Sequence, residues 1–186
     1  GCDRIVAKLR NEEVPETVRD IRNTTAMLVA DNNTLVETAA EMIAAAEWEP
    51  VRWNGQIETG VITAATEIAE RTRALRPRQV LVAGGEPTVK VMGSGRGGRC
   101  SELAIRFAME IDDRSTRALF GSSDGVDGNS GAAGFMIDLP ASLDRGMAEA
   151  ALARSDSGPL ASEIGRPIIM PPSGNNLRDL YLVARG

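Results

Sequence analysis

The stretch Gly84–Arg99, GGEPTVKVMGSGRGGR, narrows the possible folds of this chain more than any other. Glycines this dense weaken both helix and strand interiors, so they mark a loop. The apolar run Gln79–Ala83 enters the stretch. Cys100–Ile111 leaves it with Leu103, Phe107 and Ile111 on one helical face. Thr88–Met92 alternates polar and apolar residues, as a half-buried strand does. The expected arrangement is a glycine loop joining a strand to a helix N-terminus. Such a loop aims free N–H groups and the positive end of a helix dipole at whatever enters it. Arg96 and Arg99 stand among the glycines, so an anion, most simply a phosphate, is the expected guest. The alternative is an irregular turn whose arginines are solvated.

Elsewhere the chain alternates strand and helix patterns. Ala26–Ala30 is a short apolar run, and Thr34 and Glu37 have capping-box spacing ahead of a helix with Leu35, Ala39, Met42, Ile43 and Ala46 on one face. Val51–Trp53 reads as a strand. Residues 59–75 read as a helix facing inward through Ile62, Ala65, Ala69 and Leu75, with Glu67 and Arg71 paired outward. Arg117–Phe120, Phe135–Ile137, Ile168–Met170 and Leu180–Val183 read as further strands. Leu143, Met147, Ala150 and Ala151 make another helical face, and Ser155–Pro159 breaks the pattern. The expectation is an α/β fold: a mixed, largely parallel sheet flanked by helices on both faces, with ligands at the carboxyl ends of the strands. Residues 1–24 read as a leader or the tail of a missing domain. Residues 25–186 read as the domain, its motifs within 79–186.

The chain holds no histidine, which removes Ser-His-Asp and Cys-His catalysis and His-ligated zinc together. A net charge of −5 with 3% aromatic residues argues against nucleic acid. No apolar run approaches a membrane span of about 20 residues, and the first residues lack a signal peptide's apolar core, so no membrane partner is expected and the default location is cytoplasmic. Cys2 and Cys100 lack metal-site spacing. Cys100, opening a helix beside Arg99, has the setting of a reactive thiolate, although a small helix-start residue is the commoner role.

Gly93-x-Gly95-x-x-Gly98 matches the dinucleotide fingerprint, but the acidic residue that should follow comes late, at Asp124. Asp124 and Asp127, each before a glycine, are candidates to hold Mg2+ beside substrate phosphates, or simply to start tight turns. Glu86, after Gly84-Gly85, is a candidate to orient a substrate or activate its hydroxyl. Ser173 and Asn176 offer a hydroxyl and an amide in the loop PPSGNN, for a nucleotide, a small hydroxy acid or a turn cap.

GGEPTVKVMGSGRGGRCSELA, then SSDGVDGNSGAAG, then PPSGNNLRDL resemble the MOFRL family, the C-terminal domain of the glycerate 2-kinases. The resemblance covers residues 26–186. It implies transfer of the ATP γ-phosphoryl to the 2-hydroxyl of D-glycerate with Mg2+, in a cleft between two α/β domains. Some members carry a hydroxypyruvate reductase label. The catalytic candidates are then Arg96, Arg99, Asp124 and Glu86, and the arginine attributed to this half maps to Arg96 or Arg99. ATP would meet Gly85, Gly93, Gly95, Gly97, Gly98, Ser173 and Asn176, and Mg2+ would meet Asp124 or Asp127. Cys100-Ser101 stands where the family usually has Asn-Gln, and Asn129-Ser130-Gly131 where it usually has Pro-Thr-Asp. Family enzymes also carry a first half with a phosphate-binding loop and a catalytic lysine. The expected partners are therefore such an N-terminal kinase domain or a second copy of the chain. A non-catalytic nucleotide or organic-acid binding module is the competing expectation.

Overall fold

A computed structural model describes residues 2–11 and 23–186. Helix α1 (Cys2–Arg10) buries none of its side chains. From α2 onward the order is α2 (Asn32–Ala45), β1 (Glu49–Arg52), α3 (Val61–Arg73), β2 (Gln79–Gly85), α4 (Arg99–Glu110), β3 (Thr116–Ser122), β4 (Gly134–Asp138), α5 (Arg145–Ala153), α6 (Ser157–Ile164), β5 (Arg166–Ile168) and β6 (Asp179–Arg185). The strands form one sheet in the order β1-β2-β6-β3-β4-β5. Helices lie on both of its faces. Ala40 of α2 packs on Val80 and Val82 on one side. On the other, α3 and α4 meet β2, β3 and β6 around Ile68, Leu103, Phe107, Phe120 and Tyr181. β2 is buried at every position, as an apolar strand covered on both faces must be.

The sheet is mixed, but it is not largely parallel. Only β1 and β2 pair in parallel; β2–β6, β3–β6, β3–β4 and β4–β5 are antiparallel. Counting strand-helix alternations overestimates crossovers, because β4 follows β3 across a loop with no helix, which returns the chain antiparallel.

Several local expectations shift. Ala26–Ala30 is not a strand: it pairs with no strand among the described residues, and Met27, Leu28 and Val29 are exposed. An apolar run becomes a strand only where a sheet edge receives it. Thr88–Met92 makes a single isolated bridge, Thr88 to Gly60, and is otherwise irregular. The cap of α2 sits earlier than Thr34–Glu37. The Asp31 carboxylate accepts the Thr34 N–H at 2.9 Å, and Thr34 Oγ1 accepts the Asp31 N–H at 3.3 Å. The Thr34 N–H and the Thr34 hydroxyl, both donating to it, hold the Asp31 carboxyl below its ordinary range. Helix α3 faces the core through Val61, Ala64, Ala65, Ile68 and Ala69, leaving Ile62 exposed. Arg71 stacks over Trp53 at 4.4 Å, where an ion pair with Glu67 was expected. Residues 155–159 break the chain only briefly. Ser155 is left-handed (φ 55°), and Pro159 then sits in the first turn of α6, where no N–H is needed.

Candidate functional site

Three loops interlock at the N-terminus of α4. The Asp127 carboxylate accepts the N–H groups of Cys100 (2.8 Å) and Ser101 (3.0 Å), capping α4 from another loop. Gly98 N–H donates to Ser101 Oγ (2.8 Å), Gly97 N–H to Asn129 Oδ1 (2.7 Å), Arg96 N–H to Asp156 Oδ1 (2.9 Å) and Gly95 N–H to the Arg154 carbonyl (3.1 Å). The phosphate cradle expected at Gly95, Gly97 and Gly98 is thus filled by the protein's own acceptors. A carboxylate already neutralises the helix dipole. The same occupancy removes the pyrophosphate seat that a dinucleotide fingerprint requires.

The glycines answer a packing need. A Cβ on Gly98 would overlap the Asp127 carboxylate, one on Gly97 the Ser157 hydroxyl, and one on Gly128 the Gly97 carbonyl. Gly93 and Gly95 lie against the backbone of Arg154. Asp127 is buried, and burial pushes its carboxyl up against the downward pull of the Ser101 and Cys100 hydrogen bonds.

At the carboxyl end of β2, Arg99 sits between two acids. Its Nε reaches Asp179 Oδ2 at 3.1 Å and its Nη2 reaches Asp179 Oδ1 at 3.3 Å, while Nη1 lies 3.1 Å from Glu86 Oε1. Asp179 is fully buried and also accepts the Tyr181 hydroxyl at 3.0 Å. The hydrogen bond to Asp179 raises Arg99 further above its ordinary range, and burial pushes the Tyr181 phenol up. Arg178, anchored by Gln56 and by Glu58 at 2.6 Å, brings Nε within 3.7 Å of Glu86 Oε2. Asn32 donates to the carbonyls of Leu177 (2.7 Å) and Asp179 (3.0 Å), tying the start of α2 to the start of β6.

A cleft of 750 Å³ opens between the Glu86–Val91 segment, the glycine loop and the N-terminus of α6. That volume is in the range of small-molecule sites. Glu86, Gly93, Gly95, Gly97, Gly98 and Arg99 line it. Gly85, Arg96, Asp124, Asp127, Ser173 and Asn176 are not among its lining residues. Gly85 is instead crowded against Ile57, to which it is bridged. Ser173 Oγ donates to the Ser123 carbonyl (2.7 Å), and Asn176 Oδ1 accepts the Arg178 N–H (2.9 Å), so both shape their own loop. Arg96 is exposed, and among the described residues its guanidinium makes long contacts to the carbonyls of Asn129 (3.5 Å) and Ser130 (3.4 Å).

The two aspartates part company as metal ligands. Asp127 spends both oxygens on α4. Asp124 Oδ1 accepts the Ser122 hydroxyl (2.9 Å) and the Val126 N–H (2.8 Å), leaving its second oxygen without a hydrogen bond among the described residues. Those residues hold no group of three or more potential metal-binding side chains. Of the two, only Asp124 keeps a carboxylate oxygen without a hydrogen bond among the described residues, and it does not line the cleft.

Cys100 is fully buried and burial pushes its thiol well up, so it is not the reactive thiolate its position suggests. Cys2 is exposed. Titration with a thiol reagent should count one reactive cysteine in the native chain and two after unfolding. Two in the native chain would contradict this burial.

Asp179, Asn129, Asp156 and Ser157 escaped the sequence reading. For Asp179 the sequence offered only a weak signal, a carboxylate just ahead of the apolar run Leu180–Val183. The other three are held by contacts between distant loops, which no local pattern records.

The MOFRL family model matches residues 79–179. A glycerate 2-kinase from Pyrococcus horikoshii is 28% identical over 91% of this chain and 42% of its own length. A putative hydroxypyruvate reductase from Agrobacterium vitis is 31% identical over 86% of this chain and 45% of its own. The crystal structure of a glycerate kinase from Thermotoga maritima has the same fold, with a TM-score of 0.82 at 21% identity, covering 99% of this chain and 50% of that one. The chain spans less than half the length of these two curated relatives.

Proposed function

The chain belongs to the MOFRL family, and from that premise we propose that residues 25–186 form one wall of a glycerate kinase cleft, where the ATP γ-phosphoryl passes to the 2-hydroxyl of D-glycerate with Mg2+. The observation that carries this reading is the cleft itself: 750 Å³, at the strand ends, with a rigidly held arginine in its lining. Phosphoryl transfer asks a protein mainly for positioning and for positive charge. Arg99 is positioned by Asp179, and exposed Arg96 adds a second cation on the adjoining loop. Glu86 lines the cleft beside Arg99 and contacts its Nη1. Mg2+ would supply charge neutralisation at phosphate oxygens; Asp124, with one carboxylate oxygen free but outside the cleft lining, is the residue that would have to approach it.

The opposite wall, with its lysine, belongs to a partner N-terminal body. Of residues 1–24, read from the sequence as a leader or the tail of a missing domain, residues 1 and 12–22 lie outside the described residues. No helix among the described residues is long and apolar enough to cross a membrane, and the free cysteines suit a reducing cytoplasm. The reductase alternative is disfavoured by the Asp127 carboxylate at the helix end where a pyrophosphate would sit.

The test is calorimetric binding of ATP to the purified chain, followed by ADP release in the presence of D-glycerate. Arg96→Ala should weaken ATP binding about tenfold, the loss of one charge-assisted contact. ATP binding without turnover would leave a binding module awaiting its partner. Absence of ATP binding would remove the kinase reading for this chain.

A further inference from the structure

Arg99 has one edge fixed and one edge exchangeable. The fixed edge, Nε and Nη2, is clasped by a carboxylate with no exposure at all, and Tyr181 holds that carboxylate in turn. The exchangeable edge, Nη1, meets Glu86, whose side chain is 40% exposed and which lines the cleft together with Arg99. Glu86 also has a second place to go, since its other oxygen already lies 3.7 Å from Arg178 Nε. Arg178 is itself pinned by Glu58.

Resting on the kinase reading above, we propose that Nη1 of Arg99 is the recognition edge for the carboxylate of the hydroxy-acid substrate, and that Glu86 holds this place until the substrate displaces it onto Arg178. Charge decides between a carboxylate and a phosphate here. At Arg99, clasped by Asp179 on one edge, a monoanion that takes the place of Glu86 leaves the charge in contact with the guanidinium unchanged, while Arg178 takes up Glu86. A phosphate dianion in the same place would add negative charge a few ångströms from buried Asp179, where the medium screens poorly. Asp179 is a positioning residue: it touches no substrate and acts by holding the fixed edge of the guanidinium.

The experiment is a nuclear magnetic resonance titration of the 15N-labelled chain, following the Arg99 side-chain N–H signals. D-glycerate and inorganic phosphate are added separately to wild type, Glu86→Gln and Asp179→Asn. In the free wild type, the Arg99 Nε–H signal should be sharp and slow to exchange, and Asp179→Asn should broaden or lose it while the backbone spectrum stays folded. D-glycerate should move the Nη signals more readily than phosphate does. Glu86→Gln should tighten D-glycerate about tenfold by weakening the competitor, a gain that general loosening of the fold cannot produce. Weaker or unchanged D-glycerate binding in Glu86→Gln would overturn the proposal while leaving the cleft reading intact. Stronger perturbation by phosphate would overturn the carboxylate assignment. Wild type that binds D-glycerate away from Arg99 would overturn the proposal alone, and wild type that binds neither D-glycerate nor ATP would overturn the cleft reading with it.

Discussion

Arg99→Ala should destabilise the chain by about 3–5 kcal/mol, the loss expected when one partner of a buried ion pair is removed and the other remains. The cost falls on Asp179. In the native chain its two oxygens take two guanidinium N–H bonds and the Tyr181 hydroxyl, with no access to water. Without Arg99 that charge loses its ion pair and both guanidinium donors, keeping the Tyr181 hydroxyl. Urea unfolding should show the change as a lower midpoint at constant slope. The double variant Arg99→Ala with Asp179→Asn should recover part of the loss, because it leaves no charge stranded. A single-variant loss below about 1 kcal/mol would mean that water reaches Asp179 and that the arginine is not structurally fixed.

Gly128→Ala should cost about 2–4 kcal/mol, from a left-handed backbone and an overlap with rigid neighbours. Gly128 has φ 56°, and its added Cβ would collide with the backbone of Gly97 and Gly98. Gly174→Ala is the matched control. Gly174 is also left-handed, at φ 77°, yet nothing lies within 4 Å of a Cβ there, so it should cost only about 1 kcal/mol. Equal losses in the two variants would show that the glycine loop and the Asp-Gly loop are not locked together. A larger loss for Gly128 would assign the glycine density to loop packing.

That packing explains what the sequence revealed and what it hid. Runs such as Gln79–Ala83 and the spaced apolar residues of Cys100–Ile111 became β2 and α4, because burial on both faces or on one helical face is written in local periodicity. The three motif stretches pointed to the family whose model matches the chain. Strand direction was not legible: whether β3 and β4 run parallel depends on what connects them, and a patterned loop resembles a crossover on paper. Nor was the use of the loop amides. Glycine beside arginine looks like an anion cradle, whereas the acceptors that fill it, Asp127, Asn129 and Asp156, come from two other loops. Asp179 shows the same limit from the other side, as a residue that matters through partners 80 positions away.

The position of β6 sets an order on how the molecule is made. β2 and β3 do not touch as a pair; each is joined to the other only through β6, whose residues follow both in the chain. During synthesis, β2 and β3 each present an open, apolar edge until Asp179–Arg185 arrives to close them. The long loops that this closure must gather make it a slow step and leave the half-made sheet exposed to misassembly. The arginine of the cleft is also without its clasp until that moment, because Asp179 is the first residue of the strand that completes the sheet. Fixing of the cleft arginine and closure of the core are thus one event.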